Sequence, residues 1–469
     1  MADIEMKMVN IEDTICAIST PPGIGGIAVA RVTGPDAIII AQKIWRGKHS
    51  LDATPSHMCR VGTVLDSHKE ELDQAVATIF RAPHSFTGQD TVEFSVHGSR
   101  WVQQELIASL ISSGARLAEA GEFTRRAFVS GHLDLAQAEG IADVIASTSR
   151  AAQRVALNQM RGGFSKRLQE LRATLLELAS LLELELDFSE EDVTFASRNK
   201  LMELTHEVCD TTNRLAKGFA TGTAIRDGIP VAIVGATNAG KSSLLNALVQ
   251  DDRAIVSDIH GTTRDIIEDR IILGDYSLRL MDTAGMRKTS DPIETLGIER
   301  SLQAMHGASL ILLVIDSSAP VDQETVCSVH KALKSNSDIR LIIVLNKIDL
   351  GVHADLPLSE FNDVPQIRLS ATSGEGLNEL RKAMLSAFDS IVTATAGSDT
   401  IVTNARHYAC LIEANEAADR ALQALECNIP ADLIAEDIRQ CISALGAITG
   451  TISTPEILST IFSRFCIGK

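Results

Sequence analysis

Three features of the sequence predict a multidomain α/β protein. The hydrophobic period changes near residue 130, an apolar strand runs through a glycine-rich turn into a helix around residues 229–249, and helical periodicity returns after Thr403. Before residue 130, short β-rich runs alternate with turns at Thr14–Ile18, Ile27–Val32, Met58–Leu65, Gln74–Phe80 and Thr91–Val96. Helical patterns lie between them at Asp36–Trp45 and Trp101–Ser112, so residues 1–130 are expected to form an α+β domain. From Leu133 to Lys217 the pattern becomes one of long helices. Leu168, Leu171, Leu175, Leu178, Leu182 and Leu186 make a heptad-like stripe, read as the core of a helical domain. The last stretch of about 70 residues is too short to bury much core alone. Segments 131–227 and 389–469 are therefore expected to form one discontinuous α-helical domain, interrupted by an insertion at 228–388. Two separate helical domains are the alternative.

The composition sets the environment. A length of 469 residues fits about three domains. The 45% apolar content supports substantial cores, and a net charge of −18 excludes a surface that coats nucleic acid generally. Any RNA contact must rest on local basic patches. The eight cysteines include no C-x-x-C pair and no metal-type spacing with histidine, so they read as reduced thiols. No apolar run reaches the length of a membrane span and the N-terminus carries no signal-peptide pattern, so a cytoplasmic protein with no membrane partner is expected.

The insertion carries ordered motifs with separate chemical tasks. Ile229–Val234 reads as a buried strand and Ser243 onward as a helix. The turn between them, Gly235-Ala236-Thr237-Asn238-Ala239-Gly240-Lys241-Ser242, aims backbone N–H groups and a helix N-terminus at phosphate. Lys241 would contact the β- and γ-phosphates, and the Ser242 hydroxyl would hold Mg²⁺. Gly261-Thr262-Thr263 follows. Asp282-Thr283-Ala284-Gly285 comes after the strand Tyr276–Met281; Asp282 would reach the metal through water, and the Gly285 N–H would sense the γ-phosphate. Asn346-Lys347-Ile348-Asp349 follows the strand Leu341–Leu345, where Asp349 can accept two hydrogen bonds from guanine N1 and N2. Adenine offers no such donor pair, so a GTP site with sharp base choice is expected in a Ras-like P-loop G domain.

With these motifs in place, the chain resembles the tRNA-modification GTPase family (MnmE/TrmE) from Thr20 to Lys469. The marks are Thr20-Pro21-Pro22-Gly23-Ile24-Gly25-Gly26 with Arg31, Phe86-Thr87-Gly88-Gln89-Asp90 with Glu93, and Gly121-Glu122-Phe123-Thr124-Arg125-Arg126-Ala127-Phe128. Leu133-Asp134-Leu135-Ala136-Gln137-Ala138-Glu139 and the terminal Phe465-Cys466-Ile467-Gly468-Lys469 complete them. The resemblance implies a folate-binding-like N-terminal domain that dimerises and takes a formyl- or methylene-tetrahydrofolate. It implies a helical domain built from both flanks, and a K⁺-stimulated G domain. It also implies a flavin (FAD)-dependent partner of the MnmG/GidA type in a heterotetramer. With that partner, an aminomethyl or carboxymethylaminomethyl group is placed at C5 of the wobble uridine of certain tRNAs.

The resemblance also carries residue roles. Met286 stands where Ras-like enzymes keep a water-orienting glutamine, and the family's glutamate for that task matches Glu294; by type alone, Glu294 reads equally as a solvated acid. K⁺ would be held by Asn238, Ser257, Ile259 and Thr262, within the loop Ser257-Asp258-Ile259-His260-Gly261-Thr262, and Thr263 would be the second Mg²⁺ ligand. Asn238 could instead shape the turn. Ser243, Asp258, His260, Ser370 and Ala371 join the nucleotide contacts. Arg31, Glu93, His132 and Lys469 match folate-contacting positions; His132 stands where the family usually has lysine or arginine. Two other functional classes remain open on the residues: a ribosome-assembly GTPase that holds rRNA, and a stand-alone one-carbon transferase regulated by GTP.

Overall fold

The computed structural model describes residues 12–187, 198–251, 270–281, 304–336, 338–351, 361, 363–395, 401–427, 429–452, 454–463, 465 and 468. The chain divides into two compact units, one of Met1–Ala142, Met160–Ser165 and Ser443–Lys469, the other of Asp143–Gln159 and Lys166–Ile442.

The first unit is built on a seven-stranded sheet. Its strands are β1 (Ile15–Ile18), β2 (Gly25–Thr33), β3 (Trp45–Gly47), β4 (Met58–Leu65), β5 (Glu71–Phe80), β6 (Thr91–Gly98) and β7 (Arg116–Leu117), in the order β3-β4-β5-β6-β2-β1-β7. Neighbours are antiparallel except β1 and β7. Alternation selects the buried face: Ala75, Ala77 and Ile79 of β5 point into the core while Gln74 and Val76 are exposed. Helices α1 (Ala37–Lys43) and α2 (Arg100–Ser112) supply Ile38, Ile40, Leu106 and Leu110 to that core. The predicted strands and helices are present. The short strands β3 and β7 offered no local pattern, and α1 ends at Lys43 because Trp45 turns into β3.

The chain's end belongs to this unit. Leu135, Ala138, Phe462 and Phe465 form a buried cluster against Phe128, Leu458 and Ile461. The apolar face of helix Pro455–Phe462 packs against Phe128 of helix α3 (Glu122–Val129) and against Leu135 and Ala138 of the segment that follows it.

In the second unit, helix Gly163–Asp187 buries Leu168, Leu171, Leu175, Leu178 and Leu182, as the stripe predicts. Segments from both flanks of the insertion pack together here. The Thr212 hydroxyl of helix Arg198–Lys217 donates to Asn415 Oδ1 of helix Ala405–Glu426 at 2.8 Å, and Arg198 Nε donates to the Leu425 carbonyl at 2.7 Å. The insertion folds around a six-stranded sheet of β8 (Ile229–Val234), β9 (Arg270–Leu273), β10 (Tyr276–Met281), β11 (Leu310–Asp316), β12 (Arg340–Asn346) and β13 (Gln366–Arg368). Its order is β13-β12-β11-β8-β10-β9, parallel except for the β9–β10 hairpin. Both faces are covered, so β8, β11 and β12 read as continuous apolar runs. In such a sheet the loops after the carboxyl ends of the strands hold the ligand.

Cys16, Cys59, Cys209, Cys327, Cys410, Cys427 and Cys441 are free thiols. Among the described residues no helix is long and apolar enough to cross a membrane.

Candidate functional site

The turn after β8 runs from Gly235 to Gly240 and feeds helix Lys241–Asp251. Asn238 takes a positive φ of 65° at its exposed crest. Gly240 has φ 95°, and a Cβ there would come within 2.1 Å of Asn346 Nδ2, so only glycine fits. Ser242 and Ser243 are exposed in the first turn of the helix, where unpaired N–H groups face a ligand. Lys241 Nζ donates to the carbonyls of Gly235 at 2.7 Å and Ala236 at 2.8 Å. Burial pushes its pKa down, and a bound phosphate would supply the counter-charge it lacks.

Asn346, buried at the end of β12, ties two loops together. Its Nδ2 donates to the Ala239 carbonyl at 2.9 Å, and its Oδ1 accepts from the Ala371 N–H at 3.0 Å. Ser370 is buried beside it, with its N–H on the Glu375 carbonyl. Lys347 adopts φ 64°, and its Nζ meets Asp316 Oδ2 at 2.7 Å. Burial of Asp316 opposes ionisation, but hydrogen bonds from Lys347 and Ser318 outweigh it and hold the carboxyl below its ordinary range. Asp349 then stands exposed on the short 3₁₀ turn Ile348–Leu350, free to meet a base. The sequence reading missed Asp316. It ends the apolar run of β11 as Asn346 ends that of β12, and that parallel was the available signal. Ser257, Asp258, Ile259, His260, Gly261, Thr262, Thr263, Asp282, Thr283, Ala284, Gly285 and Glu294 lie outside the described residues.

The first unit assembles a second constellation. Arg31 of β2 lies directly across from Glu93 of β6. Its Nε and second guanidinium nitrogen reach Glu93 Oε1 at 2.8 and 2.7 Å. The guanidinium sits 5.5 Å from the ring centres of both Phe86 and Phe123. His132 is exposed and touches the loop that carries Phe86: a Cβ on Gly88, whose φ is 77°, would come within 2.7 Å of the His132 ring. Lys469 and Cys466 lie outside the described residues, but Gly468 packs here, its carbonyl accepting from the Ser19 hydroxyl at 3.1 Å.

Behind this constellation lies a buried ion network that the sequence reading left unassigned. Arg126, fully buried, donates to Asp13, Glu122 and Gln89, and Arg116 grips Glu122 with two bonds of 2.7 and 3.1 Å. Burial alone would raise the Glu122 pKa, but hydrogen bonds from Arg116, the Glu119 N–H and Arg126 hold it below the ordinary carboxylate range. Asp13 is likewise lowered, with Arg116 and Arg126 overcoming desolvation. A folded-state pKa below the unfolded one stabilises above the unfolded value and is lost as pH falls through the folded one. Thermal unfolding should therefore hold steady down to the ordinary carboxylate range and weaken below it. Glu122→Gln should cost about 3 kcal/mol at neutral pH and flatten the acid limb. A variant with the wild-type acid profile would remove Glu122 from this account.

A mostly parallel sheet with a phosphate-type glycine turn, a buried Asn346 tie and an exposed Asp349 defines a P-loop guanine-nucleotide hydrolase class. The comparisons agree. The family model described as MnmE helical domain matches residues 135–466, and the one described as GTP-binding protein TrmE N-terminus matches residues 14–132. A protein of Parabacteroides distasonis named tRNA modification GTPase MnmE is 48% identical over 463 residues, covering 97% of this chain and 100% of that protein. Proteins of the same name from Bacteroides fragilis (45% over 468 residues; 98% and 100% covered) and Cytophaga hutchinsonii (44% over 463; 98% and 98%) are also similar. The solved G domain of the T. maritima FeoB iron transporter aligns with 34% of this chain and 98% of its own at 24% identity and TM-score 0.26, too slight a likeness to add to the fold. The chain belongs to the tRNA modification GTPase MnmE family and is a GTPase.

Proposed function

We propose that the protein is a K⁺-stimulated, Mg²⁺-dependent GTPase of the cytoplasm that acts with an FAD-dependent partner of the MnmG/GidA type. Together, as a heterotetramer around a homodimer of this chain, they add an aminomethyl or carboxymethylaminomethyl group to C5 of the wobble uridine of certain tRNAs. The domain reading is residues 1–130 for folate and dimerisation, 131–227 with 389–469 for the helices, and 228–388 for GTP. The observation that carries the reading is that one chain of this family holds both a guanine-nucleotide site and the Arg31–Glu93 pair.

In this reading, GTP phosphates draw Lys241 from the carbonyls of Gly235 and Ala236. Ser242, exposed where the helix begins, would hold Mg²⁺ with Thr263, and the ion would neutralise phosphate charge. Asn238, at the crest of the turn, would hold K⁺ with Ser257, Ile259 and Thr262, and the ion would supply the positive charge that an arginine finger supplies elsewhere. Glu294 would orient the attacking water. Arg31, Glu93, His132 and Lys469 would hold a formyl- or methylene-tetrahydrofolate, and the position of Gly468 beside Ser19 supports a role for the C-terminus there.

GTP turnover should be severalfold faster in K⁺ than in Na⁺ at equal ionic strength, and Asn238→Ala should abolish the difference while keeping nucleotide affinity. Equal rates for the wild type in both salts would refute the K⁺ site. The whole reading is tested by nucleoside analysis of tRNA from a strain lacking this protein: unmodified wobble uridine is expected, and an unchanged nucleoside profile would overturn it.

A further inference from the structure

The hairpin of β9 and β10 is tied to its sheet over a short length. β9 is the edge strand and pairs with β10 alone, while β10 pairs with β8 only from Leu278 to Met281. The turn at Gly274 and Asp275 therefore overhangs the start of β8 at Ile229. Helices receive it there. The Ala151 N–H of helix Arg150–Met160 donates to the Asp275 carbonyl at 2.9 Å, and Arg150 approaches Asp275 Oδ1 at 3.7 Å. Helix Leu377–Thr395 meets the next residue, with the Tyr276 hydroxyl donating to Asp389 Oδ1 at 2.7 Å.

The Ala151 bond completes its helix. First-turn N–H groups have no acceptor inside a helix; that of Ala152 goes to the Ser149 hydroxyl at 3.2 Å, and that of Ala151 goes to the hairpin. Ala151 also packs against the core on one face of the sheet. Beside these contacts lies a cavity of about 250 Å³, lined by Ala152, Val155 and Ala156 of the helix and by Arg270 at the start of β9. The buried Thr403 hydroxyl on its wall has no hydrogen-bond partner among the described residues. Packing between helix and hairpin is thus incomplete, which leaves room for a second arrangement.

The other end of the hairpin leads to the nucleotide. Gly261-Thr262-Thr263 precedes β9 and Asp282-Thr283-Ala284-Gly285 follows Met281 directly, so one hairpin joins the two segments read above as Mg²⁺ and γ-phosphate contacts. We propose that hairpin β9–β10 couples nucleotide state to helix Arg150–Met160, and that the Ala151–Asp275 bond is where the helix senses it. The γ-phosphate biases the position of the hairpin, and that position decides how well Asp275 meets the helix. The coupling is reciprocal, so a contact that forms better in one nucleotide state also favours that nucleotide. This rests on the GTP reading above.

The test compares the full chain with Mg²⁺ and either GDP or a non-hydrolysable GTP analogue. Hydrogen exchange of the Ala151 amide, resolved at the single residue, should differ at least about fivefold between the two states. Ala151→Pro removes the donor in the first turn, where no bond inside the helix is lost. Arg150→Glu sets like charge against Asp275 and leaves every helix bond intact. Both should shift the ratio of the two nucleotide affinities, by about fivefold and about twofold, against the state in which Ala151 is better protected. A merely structural contact would weaken both nucleotides alike and leave the ratio unmoved. Equal exchange in the two states, or a wild-type ratio in both variants, would overturn the proposal and leave the GTP site standing. A ratio shifted toward the better-protected state would also overturn it. Should the proline variant fail to fold, Arg150→Glu decides alone. A wild-type chain that binds neither nucleotide would overturn both readings.

Discussion

Asp349→Asn should bind GTP at least about 10²-fold more weakly and take up XTP in its place. In the proposed site the Asp349 carboxylate, exposed on its short turn, would offer two acceptors to the adjacent N–H donors of guanine. Asparagine keeps one acceptor and turns the other into a donor, so it faces the guanine 2-amino group with an unpaired N–H. Xanthine retains N1–H but carries oxygen at C2, so it pairs with the asparagine amide. Lys347, fixed by its 2.7 Å contact with Asp316, keeps the loop in place in both proteins. Competition titrations with GTP and XTP decide the matter. Equal loss of both nucleotides would mean that Asp349 holds the turn and does not read the base.

Glu294→Ala should lower kcat by roughly 10²-fold, the range for losing a positioned base or water orienter, with GTP affinity nearly unchanged. Met286 has no hydrogen-bonding group able to direct water, so the attacking molecule needs another acceptor in the same switch segment. Single-turnover hydrolysis separates the chemical step from binding. A variant that loses GTP binding in proportion to turnover would show that Glu294 maintains the loop instead of the water.

The described part of the proposed nucleotide site was legible because its parts are local. β8, its glycine turn and the following helix are contiguous, and Asn346 and Asp349 sit on one strand end. Five of the seven strands of the first unit were legible from their β-rich patterns, and only the short β3 and β7 were not. Asp316 escaped because a lone acid after an apolar run carries no motif; its meaning appears only when β11 and β12 lie side by side. Arg126 escaped for a different reason. Arginine is almost never fully buried without partners, and its partners Asp13, Glu122 and Gln89 come from three separate segments.

By itself, then, the sequence determined the local structure of contiguous segments, namely the glycine turn between β8 and its helix, the Asn346–Asp349 strand end and the apolar patterns of their strands. Backbone conformation there depends on neighbouring residues, so a short motif specifies it. Only the tertiary structure set Arg31 against Glu93, 62 residues apart, joined Arg126 to Gln89, 37 apart, and brought Gly468 to Ser19 across 449 residues. Those pairings follow from strand register and from which apolar face each helix covers, and a shift of one residue would undo them.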